Sequence, residues 1–333
     1  MLAKLFIVQL GLGGVGQSLL QQYLNVADRY PWLHYRAIAD RSGLCYFPDG
    51  WTTDALNEAL QAKKRGSTLA KLAARLPGAE FVPAEGGIPS LDTLFHDQNG
   101  VGSVLVDVTA ERGSYAATLQ AKEAGAHVVL CNKWALAEPQ ELFDALMSAG
   151  TGKLLYETTV GAALPVIVTL DRLLGSDDKI TAIEAAISGT LGFVSTEIEN
   201  GTPFSEALKC AQSLGFTEPD PRDDLAGIDA RRKALILARK LGMRLDMADV
   251  EVETLVPLGL ENVSLDEFWL RLPEVDASYK ERVEMAAARG GVLRFLARID
   301  ESGAKVSLQE VPKGSIAGSL VGTESLFVFH TEM

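Results

Sequence analysis

A glycine-rich turn near the amino terminus constrains the fold more than any other feature of the sequence. It follows an apolar run at residues 5–10 and leads into a segment of helical period at residues 15–26. In strand–turn–helix units of this kind the glycines permit a tight turn, close approach of a pyrophosphate and close packing of helix on strand. The pattern predicts a dinucleotide-binding unit with the diphosphate at the helix amino terminus. The candidate contacts are Gly11, Gly13, Gly14, Val15 and Gly16.

Strand and helix patterns alternate through the first half of the chain. Short apolar runs bounded by turn residues are separated by segments of helical period, and this alternation predicts a Rossmann-type, doubly wound parallel sheet of the α/β class. The strands are predicted at residues 5–10, 35–39, 104–108 and 127–131, and the helices at 15–26, 69–76 and 115–124.

The pattern changes in the second half. Longer helical segments at 165–174, 204–214 and 225–241 occur with strands at 180–187 and 292–299, which predicts a mixed α+β domain. We place the boundary near residue 150, in the small-residue segment 148–152. The prediction is therefore a nucleotide-binding domain at 1–150 and a catalytic and dimerisation domain at 151–333, with its catalytic core at about 176–290.

Composition excludes several classes of function. The chain has 333 residues, 47% of them apolar, which is enough for two hydrophobic cores. Its 31 basic and 44 acidic residues give a formal net charge of −13, which repels nucleic-acid backbones and anionic lipid. No apolar stretch reaches the roughly 18–20 residues of a membrane span. The cysteines have no metal-ligand or Cys-x-x-Cys spacing, which is typical of a protein from a reducing compartment. Together, the charge, the hydropathy and the cysteines lead us to expect a cytosolic protein without nucleic-acid or membrane partners.

Two positions at predicted strand ends are further candidates for the cofactor domain. Asp40 closes the second strand, where an acid can bond the adenosine ribose, and Arg41 beside it could instead face a 2′-phosphate. These residues leave the choice between NAD and NADP open. Lys133 follows the strand at 127–131, and its side chain is expected at the carboxyl edge of the sheet, where such sheets bind ligands.

A proline-bounded acidic segment, residues 215–233, is the second informative string. Five carboxylates fall within the twelve residues from Glu218 to Asp229. Asp229 and Lys233 are four residues apart and share a face on a helix, while Asp224 lies on the segment leading in. On spacing alone, an acidic helix start with an i,i+4 ion pair is as good an interpretation as a catalytic site.

Together these segments resemble the homoserine dehydrogenases, chiefly the dehydrogenase part of bifunctional aspartokinase/homoserine dehydrogenases. The resemblance covers nearly the whole chain and does not extend to a kinase region. It is carried by the glycine turn and by the strings Asp107-Val108-Thr109, Asn132-Lys133, Tyr156 to Gly161, Ser188-Gly189-Thr190 and Glu218 to Lys233, in which Asp224, Asp229 and Lys233 have the family's spacing.

The resemblance implies an NAD(P)-dependent interconversion of L-homoserine and L-aspartate 4-semialdehyde in threonine, methionine and isoleucine biosynthesis. It implies acid/base roles for Lys133 and Lys233, and a cofactor contact at Thr109. It also implies a homodimer built from residues 160–174 and the late strands. The substrate-binding residues that it implies are Gly189, Thr190, Glu218, Asp224 and Asp229, and the ligands of a sodium ion are Glu157 and the carbonyls of Val160, Ala162 and Leu164.

Two alternatives remain open at this stage. A thiol-based aldehyde dehydrogenase would use Cys131, but nothing in the sequence marks His34, His96, His127 or His330 as its basic partner. The other alternative is a catalytically impaired cofactor-binding homologue or sensor. Family members usually continue after the late strands into a glycine-rich turn and a helix that cover the cofactor, and here the sequence stops at Met333, so we expect weaker cofactor binding.

Overall fold

The computed structural model describes residues 4–95, 102–110 and 112–332. The chain divides into two compact units, Met1–Ala162 and Ala163–Met333. The sequence predicted a boundary near residue 150. The first unit extends further because the short strand Leu154–Leu155 is paired with its sheet. Across the described ranges, no helix has both the length and the apolar character that a bilayer span requires.

The first unit is built on one sheet flanked in sequence by helices. Its strands are β1 (Leu5–Leu10), β2 (Leu33–Asp40), β3 (Gly43–Tyr46), β4 (Glu80–Pro83), β5 (Ser103–Asp107), β6 (His127–Leu130) and β7 (Leu154–Leu155). Its α-helices are α1 (Gly14–Val26), α2 (Thr53–Lys64), α3 (Leu69–Ala73), α4 (Asp92–Phe95), α5 (Tyr115–Glu123), α6 (Trp134–Ala137), α7 (Gln140–Ser148) and α8 (Thr158–Gly161).

The strand order in this sheet is β4-β3-β2-β1-β5-β6-β7. The predicted doubly wound sheet is confirmed for β2, β1, β5, β6 and β7, which run parallel. The sequence analysis did not predict that β3 and β4 add an antiparallel edge. The order reverses beside β1, since β2 lies on one side of it and β5 on the other. This is the topological switch point at which such sheets bind ligands.

The second unit pairs a mixed sheet with helices. Its strands are β8 (Ile180–Ala186), β9 (Glu251–Val252), β10 (Gly291–Asp300), β11 (Gly303–Pro312) and β12 (Leu326–Thr331), in the order β12-β8-β10-β11-β9. Its α-helices are α9 (Val166–Gly175), α10 (Gly189–Glu199), α11 (Phe204–Ser213), α12 (Pro221–Leu225), α13 (Ile228–Lys240), α14 (Leu265–Arg271) and α15 (Asp276–Ala288). Only β9 and β11 run parallel among these pairs, so the predicted α+β character is confirmed.

The helix predicted at 225–241 begins three residues later, as α13, because the chain breaks between α12 and α13. Gly227 takes a left-handed backbone with φ 66° and ψ 16° and caps α13. A Cβ atom there would lie 2.9 Å from Cγ2 of Val252 and 3.3 Å from the ring of Phe295. Glycine is therefore required both by the backbone angle and by the close packing. The break places Asp224 in α12 and Asp229 in α13, in agreement with the interpretation of Asp224 as part of the segment leading into the helix.

We expect Gly227→Ala to destabilise the protein more than Gly242→Ala. Both glycines have positive φ, so each alanine carries a backbone cost of about 1–2 kcal/mol. Only the Cβ at 227 also meets packed side chains, since there is open space at 242, and overpacking adds about 1–3 kcal/mol. Urea unfolding of both variants measures the difference. Equal losses would contradict the packing argument.

Candidate functional site

The glycine turn joins β1 to α1 by a very close approach of the backbone. A Cβ atom at Gly16 would lie 2.3 Å from the carbonyl oxygen of Gly11, so only glycine fits there. Gly13 and Gly14, in contrast, have no heavy atom within 4 Å of a would-be Cβ, and both are exposed. The amino terminus of α1 thus opens onto free space, with no side chain capping it and no acid in its first turn. This cradle suits a diphosphate.

Gln9 supports the turn from below, and the sequence analysis missed it. Its fully buried side chain donates from Nε2 to the carbonyls of Gly11 (2.8 Å) and Gly16 (3.2 Å). Its Oε1 accepts a 2.7 Å hydrogen bond from the hydroxyl of Tyr35. Burial of that phenol raises its pKa, so Tyr35 stays a donor. One amide in an otherwise apolar strand was the signal that could have found this support.

The end of β5 lies beside the turn. Val108 N–H donates to the carbonyl of Leu10 at 2.9 Å, and a Cβ on Gly11 would lie 3.0 Å from the carbonyl of Val108. Thr109 follows, with its hydroxyl 2.7 Å from a carboxylate oxygen of Asp107. The predicted cofactor contacts Gly11 and Thr109 therefore lie together at the switch point of the sheet.

The structure places Asp40 at the end of β2, with its carboxylate occupied by protein donors. Oδ1 accepts from the backbone N–H and the hydroxyl of Ser42, and Oδ2 accepts from Lys63 Nζ (2.6 Å) and Leu69 N–H (3.3 Å). Its side chain is only 4% exposed. The carboxylate is thus part of the fold here, and the sequence had suggested a ribose contact. Arg41, the other candidate, is exposed.

Lys133 lies three residues after the end of β6 and directly before α6. Its neighbour Asn132 is buried and donates from Nδ2 to Thr109 Oγ1 at 2.8 Å. Trp134 packs at 5.4 Å from the guanidinium of Arg112, whose other partner is Glu138. The edge formed by β1, β5 and β6 therefore brings Lys133 close in the fold to the glycine turn.

Cys131, the candidate nucleophile of the thiol alternative, is half-buried in this region. Its N–H donates to the carbonyl of Asp107 at 2.8 Å. Of the histidines weighed as its basic partner, His127 accepts from the N–H of Lys153 through Nδ1, which holds that ring at the other end of the strand. His96 lies outside the described residues.

In the second unit, six predicted site residues form two bonded sets that are joined by the backbone from Ile187 to Thr190. Thr190, in the first turn of α10, donates to Asp224 Oδ1 at 2.9 Å, and Glu218 N–H donates to Asp224 Oδ2 at 2.7 Å. Gly189 precedes Thr190 and follows the end of β8. The side chain of Lys233 donates to the carbonyl of Ile187 at 2.8 Å. Lys233 Nζ also lies 2.8 Å from Asp229 Oδ2.

The acids of this group differ in burial and in how the protein affects the pKa of their carboxyls. Burial is the largest influence on Asp224 and raises the pKa of its carboxyl, and the nearby Asp223 and Asp229 raise it further, against hydrogen bonds from Glu218 and Thr190. The side chain of Asp229 is 53% exposed and that of Lys233 is 18% exposed. Glu218 is exposed. Asp224 thus organises the turn, while Glu218 and Asp229 present charge to solvent.

The four residues predicted to hold a sodium ion span the division between the units. Glu157 precedes α8, Val160 is buried within that helix, and Ala162 ends it with φ 51° and ψ −106°. Positive φ in an alanine is strained and is often found at functional sites. Leu164 belongs to the second unit, and its carbonyl accepts from Val166 N–H at 2.9 Å. Among described residues, no cluster of three His, Cys, Asp or Glu side chains could hold a metal.

The close approach at Gly16 has a measurable consequence for stability. Gly16→Ala should lower the thermal unfolding midpoint and abolish nucleotide binding, because its Cβ meets backbone rather than a movable side chain. Gly14→Ala is the matched control for the cofactor-free protein, since its Cβ meets open space and alanine favours a helix. Its unfolding midpoint should stay the same or rise slightly. A comparable fall in both variants would show that the approach is not tight.

Asp40 should contribute pH-dependent stability. Burial alone would raise its pKa, but hydrogen bonds from Lys63 and Ser42 outweigh burial and the pKa is lowered. A lowered folded-state pKa means that the stabilisation is present above the unfolded value of about 4 and is lost as pH falls through the folded value. The difference in unfolding free energy between the parent chain and Asp40→Asn should therefore shrink at acidic pH. A difference independent of pH would remove Asp40 as an ionised partner of Lys63.

Comparison with known proteins identifies the family of this chain. A curated relative, a bifunctional aspartokinase/homoserine dehydrogenase from Haemophilus influenzae, is 40% identical over 235 residues, covering 69% of this chain and 29% of the relative. The chain thus spans about three-tenths of that relative's length.

Solved structures show the same fold over the whole length. A Candida auris protein of unknown function superposes with a TM-score of 0.84 at 26% identity, covering 99% of this chain and 90% of the other. A hyperthermophilic archaeal homoserine dehydrogenase in complex with NADPH gives a TM-score of 0.70 at 25% identity, with 99% and 88% covered. The homoserine dehydrogenase family model matches residues 165–333, which contain the whole Thr190 to Lys233 group. The chain therefore belongs to the homoserine dehydrogenase family.

Proposed function

We propose that this chain catalyses the NAD(P)-dependent interconversion of L-homoserine and L-aspartate 4-semialdehyde, a step of amino-acid biosynthesis that leads towards threonine, methionine and isoleucine. The observation that carries the proposal is the connected group around Lys233. Lys233 is tied to the end of β8 through Ile187 and to Asp229, and Thr190 is tied to Asp224. A lysine and acids held together beside a glycine-started helix can bind an amino acid and move a proton.

The cradle at the amino terminus of α1 fits a dinucleotide, and the end of β2 favours NADP over NAD. The Asp40 carboxylate is already bonded by Ser42, Lys63 and Leu69, which leaves it poorly suited to a ribose 2′-hydroxyl. The charge of Lys63 is offset by its ion pair with Asp40, so Arg41 is the residue that adds positive charge there, which suits a 2′-phosphate. The archaeal relative solved with NADPH is consistent with this choice.

Lys233 is the proposed acid/base group. When bound, the nicotinamide cofactor supplies the hydride to the substrate aldehyde or accepts it from homoserine. As the aldehyde oxygen becomes an alkoxide, the ammonium of Lys233 donates a hydrogen bond and then the proton that completes the alcohol. In the reverse direction Lys233 takes the proton of the homoserine hydroxyl. Asp229, whose Oδ2 lies 2.8 Å from Lys233 Nζ, orients the lysine. Lys133 is proposed as the second acid/base lysine.

The acidic segment before α12 suits the amino-acid part of the substrate. Homoserine carries an α-ammonium, which the exposed carboxylate of Glu218 can pair with. The backbone N–H groups at Gly189 and Thr190, at the start of the eleven-residue helix α10, suit its carboxylate. Asp224 holds both parts in place, because it bonds the Thr190 hydroxyl and the Glu218 N–H. This arrangement supports specificity for an amino acid.

Two further features belong to the proposal. A sodium ion held by Glu157 and the carbonyls of Val160, Ala162 and Leu164 fits the hard oxygen donors present, and the positive φ of Ala162 is a strain that an ion would help to offset. A homodimer is supported by exposed apolar side chains on α9, such as Val168 and Leu174, and by the partly exposed sheet-edge strand β12.

Lys233→Met should lower kcat by about a hundredfold or more, the usual loss when a general acid/base is removed, with NADPH binding retained. Lys240→Met is a closely matched control. Both lysines lie on α13, their side chains are 18% and 17% exposed, and each pairs with an exposed aspartate. The control should change kcat by less than about twofold, because its ion pair lies at the surface. Nicotinamide absorbance with homoserine and with aspartate semialdehyde measures both variants.

The pH dependence distinguishes the two directions. Homoserine oxidation requires Lys233 to lose a proton first, so its rate should rise towards alkaline pH, whereas semialdehyde reduction should not. Equal profiles in both directions, or equal losses in the Lys233 and Lys240 variants, would contradict the assigned role. Absence of turnover with either cofactor would contradict the proposed function itself.

A further inference from the structure

We propose that Asp107, a buried acid with no role in the chemistry above, is a positioning residue that fixes Thr109 and Lys133 at the sheet edge. The proposal rests on the function proposed for Lys133. Asp107 ends β5, and its side chain is fully buried. It lies at the switch point of the sheet, between the glycine turn and the segment that carries Lys133.

Asp107 ties the ends of two strands through both its main chain and its side chain. Its carbonyl accepts from the N–H groups of Cys131 (2.8 Å) and Asn132 (3.3 Å), which follow β6. Its Oδ1 accepts from the N–H (2.9 Å) and the hydroxyl (2.7 Å) of Thr109. One residue therefore holds the loop after β5 and the loop after β6 in a common register.

The chain of hydrogen bonds continues to both neighbours of Lys133. Asn132 Nδ2 donates to Thr109 Oγ1 (2.8 Å) and to Ser114 Oγ (3.1 Å). Asn132 Oδ1 accepts from Trp134 N–H at 2.9 Å. The residues before and after Lys133 are thus anchored, which fixes the backbone from which the lysine side chain extends.

The direction of each bond depends on the acceptor at Asp107. Because Oδ1 has only lone pairs to offer, the Thr109 hydroxyl must donate to it and so presents lone pairs to Asn132. Asn132 must then turn its NH₂ towards Thr109, which leaves its oxygen for Trp134. A single acceptor therefore selects one orientation for every group in the chain. An apolar residue at position 107 would leave these orientations unspecified.

The position of the carboxylate is costly, which argues against a purely stabilising role. Oδ2 is enclosed with no donor at hydrogen-bond distance, and burial raises the pKa of the carboxyl against the lowering influence of Ser114, Thr109 and Asn132 around it. A buried polar atom without a partner costs about 1–3 kcal/mol. Replacing buried charge by apolar packing is often neutral or stabilising. An acid with only one of its oxygens hydrogen-bonded is explained at this position if it serves to hold Thr109 and Lys133 in place.

Three variants test the proposal. Asp107→Ala removes the acceptor and should lower kcat about ten- to a hundredfold, since small displacements of a catalytic group have effects of that size. It should also weaken NADPH binding and speed amide exchange in the peptide spanning residues 128–137. Asp107→Asn keeps an oxygen for both Thr109 donors and should retain kcat within about threefold of the parent chain, even where its buried NH₂ lowers the unfolding midpoint.

Thr118→Val is the control for a buried polar change nearby in sequence. Thr118 lies on α5, is fully buried, and its hydroxyl has no partner, so its kcat and amide exchange should match those of the parent chain. The proposal is overturned if Asp107→Ala leaves kcat and exchange at 128–137 unchanged, if Asp107→Asn loses as much as Asp107→Ala, or if Thr118→Val loses equally. Amide exchange and NADPH fluorescence give these answers even if the parent chain fails to turn over homoserine, so the two failures are distinguishable.

Discussion

The first unit depends on the contact between the start of α1 and the end of β1, where no side chain can intervene. The Gly11 carbonyl oxygen lies 2.3 Å from the position of a Cβ at Gly16, and the side-chain amide of Gln9 donates to the carbonyls of both glycines. This contact sets the direction of α1 relative to the sheet. It also turns Gly13 and Gly14 outwards, so that the unsatisfied N–H groups of the helix meet solvent or a ligand. A cofactor cradle follows from packing, before any ligand is considered.

The second unit uses a related device. At Gly227 the chain takes a left-handed turn that brings the backbone against Val252 and Phe295, and α13 starts in a new direction. Lys233 can then reach the carbonyl of Ile187 after β8, and Asp229, four residues before the lysine, lies on the same helix face. In both units a residue without a side chain allows a helix to approach a strand end. The polar groups that remain at that end are the ones assigned to function.

Sequence patterns predicted the central strands of both sheets and several of the longer helices, and the elements that they missed were missed for physical reasons. Strand β1 was predicted correctly because it is a nearly continuous apolar run bounded by the glycine turn. Helix α11 was predicted to within a residue at each end because its apolar residues recur with a regular helical period. The break at Gly227 was missed because a glycine inside a helical period carries no local sign of the packing that forces it to turn. The antiparallel edge was missed because β3 and β4 are short. Gln9 and the partners of Asp40 depend on contacts between distant positions, which periodicity does not encode.

The carboxylates of this acidic chain fall into two classes: those already paired with cations and hydrogen-bond donors of the protein, and those exposed to solvent. Asp40 is enclosed by Lys63 and Ser42, and Glu199 accepts from the buried Arg294 and lies 3.1 Å from Lys313. Hydrogen bonds to these cations lower the pKa of both acids against the effect of burial, so they remain ionised and internally neutralised. Such acids add little to the electrostatic field outside the protein.

The exposed acids do contribute to that field, and Glu218 is one of them, at the start of the segment from Glu218 to Lys233. For the proposed substrate, a negative field at that point would raise the local concentration of its α-ammonium, and the ion pair between Lys233 and Asp229 offsets the positive charge of the lysine. Under the proposed function, Glu218 would therefore attract the substrate and Asp229 would orient the lysine that transfers the proton, and the break at Gly227 lies between these two carboxylates.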